Sequence, residues 1–331
     1  MARSVVPRAL LLSLAGWALL ASAAAAPPGL VVPTPAEVPA EEPPPAGSEA
    51  APPAPDVRPR FLGGAEADDD VLARLCSLPL RSIGPLGGGA SITLKAVFVD
   101  GSQAAVKPDQ LHVTRYYAEV AAYRVARALG IDRVAPSCVR YFPREVLMHP
   151  GMPRSLLERM QAELRVDDEG LVAAAVIQWI PNLRSLRLEK KTWWQPLLRR
   201  GAPWPRDPDQ RRRLLEISTM LLYDFIIGND DRWSGGNTHV TGDRMVYLDQ
   251  GAAFGRDSKR RRAYVFSRLR QSERFERKVA EALWDLDVVG LQRELAGLLS
   301  VRELRELTER IREAQQYLRR LHEEAPEDSL Y

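Results

Sequence analysis

Five polar residues stand where apolar ones would fold more cheaply. Lys107 follows Ala104, Ala105 and Val106 at the end of a predicted strand, and it is one of only six lysines in 331 residues. Glu119 sits in AEVAAY, the least polar part of a predicted helix. Asp231 and Asn237 lie in IIGNDDRWSGGNTH, directly after a strongly apolar stretch, and Asp249 ends the run MVYLD before Gln250-Gly251. Each has an ordinary structural explanation. Lys107 suits a solvated strand end, and Glu119 suits a pair with Arg115 one helical turn back. Asp231 suits a turn cap paired with Arg232, and Asp249 the start of a turn. Together their order points to a definite chemistry. A strand lysine, a helix glutamate, a loop aspartate with a following asparagine and a strand-end aspartate are the parts that phosphoryl transfer from ATP requires. Lys107 would hold α/β-phosphate oxygens, and Glu119 would orient it or reach a metal. Asp249 and Asn237 offer oxygen donors to Mg²⁺ or Mn²⁺, hard ions that prefer them. Asp231 would accept the proton of the attacking hydroxyl. The turn Gly87-Gly88-Gly89 would bring backbone N–H groups close to phosphate.

Other chemistries find little support. There is no GxxxxGK[ST] phosphate loop, no GxGxxG after a strand and no GxSxG nucleophile elbow. The histidines at 112, 149, 239 and 322 form no HExxH pattern, and two cysteines cannot build a four-thiolate zinc site. Formal charge is +3, from 46 basic and 43 acidic residues. That balance argues against a dedicated nucleic-acid binder, which needs a large basic excess.

The chain divides by composition. Arg3 and Arg8 precede the apolar run ALLLSLAGWALL (9–20) and the small residues ASAAAA (21–26). Residues 1–26 therefore read as a secretory signal, the alternative being an uncleaved anchor. Residues 27–60 contain 12 prolines and 6 alanines, too little apolar surface to offset their ordering entropy, and read as an extended tether. The folding body is 61–331, with no later membrane span. Export permits an oxidising compartment, where Cys76 and Cys138 form either one disulfide or two buried thiols.

Within the body, strands are expected between 81 and 107, with a hairpin at Asp100-Gly101. A helix is expected over 113–129, ended by Gly130, and a helical segment near 153–164. Further strands are expected at 138–143, at 171–179 and at MVYLD. Residues 209–227 read as an apolar helix closed by Gly228, followed by a loop over 228–244. Everything beyond 270 reads as helical. Leu304, Leu307, Ile311, Ala314, Leu318 and Leu321 form a stripe that suits either a coiled-coil seam or a helix packed on its own domain. A mostly-β first part and a mostly-α second part place the default ligand site in the cleft between them.

At these residues the sequence resembles the four-jointed and Golgi casein kinase family of secretory-pathway kinases. More distantly it resembles spore-coat-type, HipA-like and phosphoinositide kinases. The resemblance is carried by AAVKPD (104–109), YAEVAAYRVARALGIDRVAP (117–136), IQWIPNL (177–183), KTWWQP (191–196), YDFIIGNDDRW (223–233) and VYLDQGAAFG (246–255), in family order. It implies an α+β, protein-kinase-like bilobal fold, with a β-rich N-lobe over about 75–180 and an α-rich C-lobe over about 181–325. By motif position Lys107 contacts phosphate, Glu119 pairs with it or reaches the metal, Asp231 is the catalytic aspartate and Asp249 the metal-binding one. Gln178, Trp179 and Ile180 fall in the hinge that offers backbone groups to adenine. Asn237 lies six residues after Asp231, where the kinase pattern has five, and Gln250 replaces the usual Asn. The implied acceptor is a Ser/Thr of an exported protein or a sugar hydroxyl of a glycan. The alternative is a catalytically silent relative that binds nucleotide or acts as a scaffold. Lys259-Arg260-Arg261-Arg262 suits either an acidic acceptor or a solvated basic loop.

Overall fold

The computed structural model describes residues 58–87, 90–111, 115–234, 236–255 and 258–331. The expected signal, nearly all of the tether, and Gly88 and Gly89 lie outside them.

The first part is built on an antiparallel sheet of β1 (Leu80–Pro85), β2 (Leu94–Phe98), β3 (Gln103–Pro108), β4 (Ser137–Pro143) and β5 (Leu171–Gln178), in the order β1-β2-β3-β5-β4. Side chains alternate across its two faces. On one face Ala96, Phe98, Ala104, Val106, Val172, Ala174 and Val176 form a core. Val71 and Leu75 of α1 (Asp68–Ser77), Leu147 of α3 (Arg144–Leu147) and Met160 of α4 (Arg154–Glu163) complete it. On the other face of β3 stand Ala105 and Lys107, paired in register with Ile177 and Ala175 of β5. The helix α2 (Tyr116–Ala128) packs across β4 and β5. Its Ala118, Ala121, Ala122 and Ala126 are buried, so the helix lies close to its neighbours and carries Glu119 inward. A disulfide joins Cys76 at the end of α1 to Cys138 on β4, with Cα atoms 6.1 Å apart. Asp68 of α1 accepts from Tyr123 Oη of α2 at 3.0 Å, and Asp69 pairs with Arg127 at 2.7 Å.

The second part is helical. It contains α5 (Pro208–Ile227), α6 (Lys259–Leu269), α7 (Arg277–Trp284), α8 (Val288–Leu295), α9 (Val301–Glu324) and α10 (Pro326–Ser329). Asp207 caps α5 by accepting from Asp209 N, Pro208 takes the first helical position, and Gly228 closes it at φ 67°. The apolar stripe of α9 packs inward: Leu307, Ile311, Ala314, Leu318 and Leu321 are buried with Ile217, Leu221 and Phe225 of α5 in one core. It is therefore a helix packed on its own domain.

Two sequence expectations change here. The segment 228–244 is not all loop. It holds β7 (Thr238–Thr241), which lies between β6 (Arg184–Ser185) and β8 (Arg244–Tyr247) in a second antiparallel sheet. β7 is only four residues long, too short for its alternation to stand out beside the glycines before it. The strand in MVYLD also stops earlier, at Tyr247. Asp249 lies beyond it at φ 57°, a left-handed conformation that cannot continue a strand. Among the described residues no helix is long and apolar enough to cross a membrane.

Candidate active site

Between the two parts opens a cleft of about 460 Å³. Gly87, Ala105 and Lys107 line it from the β-rich side, Gln178, Trp179 and Ile180 from its inner edge, and Asn237, His239, Leu248 and Asp249 from the helical side. The fold thus brings together residues far apart in sequence, because β3, the connection after β5, β7 and the segment after β8 all border one space.

Lys107 is the junction. Its Nζ lies 2.6 Å from Glu119 Oε1 and 2.8 Å from Asp249 Oδ1. The ammonium and the Glu119 carboxylate are nearly excluded from solvent, whereas the Asp249 side chain is 39% exposed to the cleft. Burial alone would depress the lysine pKa, but the two carboxylates outweigh it and hold the group firmly protonated. Burial likewise favours a neutral Asp249, yet Lys107, and more distantly Arg232, keep its carboxyl below the usual range. Glu119 does not pair with Arg115. That arginine donates to Glu303 Oε1 at 3.1 Å instead. The second Glu119 oxygen accepts the Gln250 backbone N–H at 3.1 Å.

The catalytic-loop candidates are held by a separate network. Asp231 N donates to Asn229 Oδ1 at 3.1 Å, and Asn237 Nδ2 lies 3.3 Å from Asp231 Oδ2. Ser234 Oγ also donates to Asp231 Oδ1. Arg232 does not pair with Asp231 either. It is fully buried, bonded to both oxygens of Asp224 at 3.0 Å, and it donates to the Asn237 carbonyl at 3.1 Å. Asp224 and Asn229 escaped the sequence reading as site residues. A carboxylate inside the apolar run LLYDFII of α5 was the signal that could have found Asp224.

The basic run 259–262 opens α6 rather than forming a loop, with Ser258 capping it. Two of its members turn inward. Arg261 bonds Asp230 Oδ1 at 2.8 Å and the Gly228 carbonyl at 3.0 Å. Arg262 pairs with Glu309 and Glu313 of α9, each at 2.9 Å. Lys259 and Arg260 stay exposed.

Among the described residues, no group of three or more His, Cys, Asp or Glu converges as a metal cage. The cleft instead offers Asp249 and Asn237 as oxygen donors. Two protein ligands suit an ion that completes its shell with phosphate oxygens and water, as Mg²⁺ does. Both carboxylate oxygens of Glu119 are already engaged, by Lys107 and by Gln250 N–H. Each oxygen keeps a further lone pair, so the geometry fits orienting the lysine and leaves room for a metal.

No protein-family model matches the chain. It is 23% identical to an extracellular serine/threonine protein of Drosophila melanogaster over 57% of this chain and 45% of that protein. It is 24% identical to the extracellular serine/threonine protein kinase FAM20C of Homo sapiens over 58% of this chain and 42% of that one. The chain spans less than half the length of these relatives. A crystal structure of the Golgi casein kinase with Mn and ADP bound matches at TM-score 0.60 and 17% identity, covering 80% of this chain and 78% of that one. The structure of hydra Fam20 with sugar matches at 0.60 and 17%, covering 79% and 91%. The chain resembles the Golgi casein kinases in sequence and shares their kinase-like fold. The solved Golgi casein kinase holds manganese and ADP.

Proposed function

We propose that the protein is an exported ATP-dependent kinase that transfers the γ-phosphoryl group to a hydroxyl of a secreted protein, at Ser or Thr, or of a glycan. The observation that carries this reading is the Glu119–Lys107–Asp249 bridge, 2.6 and 2.8 Å across the cleft. A lysine between two carboxylates in a nucleotide-sized cleft is a costly arrangement for structure alone. It is useful if phosphates displace part of the contact. Lys107 then takes the α/β-phosphate oxygens, held in place by Glu119. Gln178, Trp179 and Ile180 border the base, and Gly87 borders the phosphates. Asp249 and Asn237 hold Mg²⁺ or Mn²⁺, which would neutralise phosphate charge. Asp231 accepts the acceptor hydroxyl's proton as the oxygen attacks phosphorus and the bond to the ADP oxygen breaks. The resemblance to extracellular kinases and the signal-like N-terminus support export of the protein.

The test is transfer from labelled ATP with Mn²⁺ or Mg²⁺ to casein, acidic peptides and glycans, together with melting curves. Saturating Mn–ADP at one hundred times its dissociation constant should stabilise the fold by about 2.7 kcal/mol. Asp249→Ala should lose both the shift and transfer, whereas Asp231→Asn should keep the shift and lose transfer. A wild-type protein that binds nucleotide without transferring phosphate would make it the silent relative. Transfer undiminished in Asp231→Asn would remove that residue from the base role.

A further inference from the structure

Gln250 follows the metal-binding candidate but does not face the cleft. Its side chain is 1% exposed, and every polar atom in it is used. Oε1 accepts from Asn229 Nδ2 at 2.9 Å and from Arg232 Nη2 at 2.8 Å, and Nε2 donates to the Tyr247 carbonyl at 2.8 Å. Its backbone N–H donates to Glu119 Oε2 at 3.1 Å. Two circuits meet at this residue. One is the ring Gln250 N–H, Glu119, Lys107, Asp249, closed through the chain itself. The other runs from Oε1 to Asn229, whose Oδ1 holds the Asp231 N–H, and to Arg232, which holds the Asn237 carbonyl.

We infer that Gln250 is a positioning residue that fixes the catalytic loop relative to the Lys107–Glu119–Asp249 bridge. Its length matters as much as its amide. Oε1 must reach two donors on the loop while the backbone stays bonded to Glu119. A side chain one methylene shorter withdraws the acceptor by about 1.5 Å, and two buried donors, on Asn229 and Arg232, are left without it. A misplacement of about 1 Å at reacting groups costs about 100-fold in rate. The nucleotide contacts, made by Lys107 and the inner edge of the cleft, do not pass through Oε1.

This inference rests on the kinase reading for its kinetic consequence but not for its structural one, and the experiment separates them. Gln250→Met keeps the volume and removes the acceptor; Gln250→Asn keeps the amide and shortens it. Both should lower kcat about 100-fold and leave KM for ATP within about threefold. Hydrogen exchange of the Asp231 amide, followed in the same proteins, should quicken at least tenfold, while amides of β3 and β5 stay as protected as in the wild type. The exchange result decides the inference even if the wild-type protein transfers no phosphate, an outcome that would sink only the kinase reading. Unchanged exchange at Asp231 overturns it. So does a rise in KM without a fall in kcat, or failure of both variants to fold, which would make the residue purely structural.

Discussion

Lys107 owes its state to its two partners rather than to its own burial. Desolvation works against the ammonium, and the Glu119 and Asp249 carboxylates overcome it. The three charges are therefore mutually dependent, and removing one should be felt by the others. Glu119→Gln should leave a folded protein about 1–3 kcal/mol less stable, with kcat/KM for transfer lowered about 100-fold. Denaturation and steady-state kinetics on the same sample would check both. The identities of these three residues were legible in the sequence, because a lysine, a glutamate and an aspartate in apolar surroundings are conspicuous. Their hydrogen bonds were not. Arg115 and Arg232 are the nearest basic neighbours of Glu119 and Asp231 along the chain, yet in space they bond Glu303 and Asp224. Gln250 was visible as a substitution after Asp249, but only its geometry shows the side chain turned from the cleft into the loop network.

At the scale of elements, strong local signals carried through and weak ones did not. Gly228 closes α5 where its apolar run ends, as the sequence predicts, while the structure adds the Asp207 cap at its start and a capping box of Ser300 with Glu303 on α9. The short β6 and β7 had no comparable signal, since two to four residues cannot display a period. Gly228 is more than a stop. At φ 67° a β-carbon there would sit 3.0 Å from Arg310 Cζ, an arginine that also donates to the Ile226 carbonyl at 2.9 Å. Gly228→Ala should therefore cost about 1–3 kcal/mol in chemical denaturation and disturb the start of the 229–231 turn. The disulfide is the other device of this scale. It links positions 62 residues apart and fastens α1 to the sheet that carries Lys107 and Gln178. On the chain-entropy account its reduction should lower stability by about 4 kcal/mol. Denaturation midpoints with and without reductant would measure this, with Cys76→Ser as the control that reductant should not shift.

At the scale of the molecule, the largest hydrophobic core holds four buried tyrosines, Tyr123, Tyr223, Tyr247 and Tyr317. Burial raises Tyr223 well above its ordinary value and pushes Tyr317, whose hydroxyl donates to the Ser272 carbonyl, up to about 12. A group whose folded pKa exceeds its unfolded one contributes stability that is complete below the unfolded value and lost as pH rises toward the folded value. The melting temperature should accordingly fall as pH rises above about 10. Tyr317→Phe should flatten that limb by about 1.4 kcal/mol per pH unit between about 10 and 12. An alkaline limb of the same slope in wild type and variant would refute the role of this hydroxyl. By itself the sequence determined the order of the longer elements, the faces they bury and the types of residue that could handle a phosphate, because these follow from periodicity and from charges set among apolar neighbours. Only the tertiary structure decided which partner each charge takes, since contacts as far apart as Lys107 and Asp249 exist only when two lobes close on one another. The choice between Arg115 and Lys107 for Glu119, or between Asp231 and Asp224 for Arg232, is settled by distances of a few ångströms that no spacing along the chain encodes.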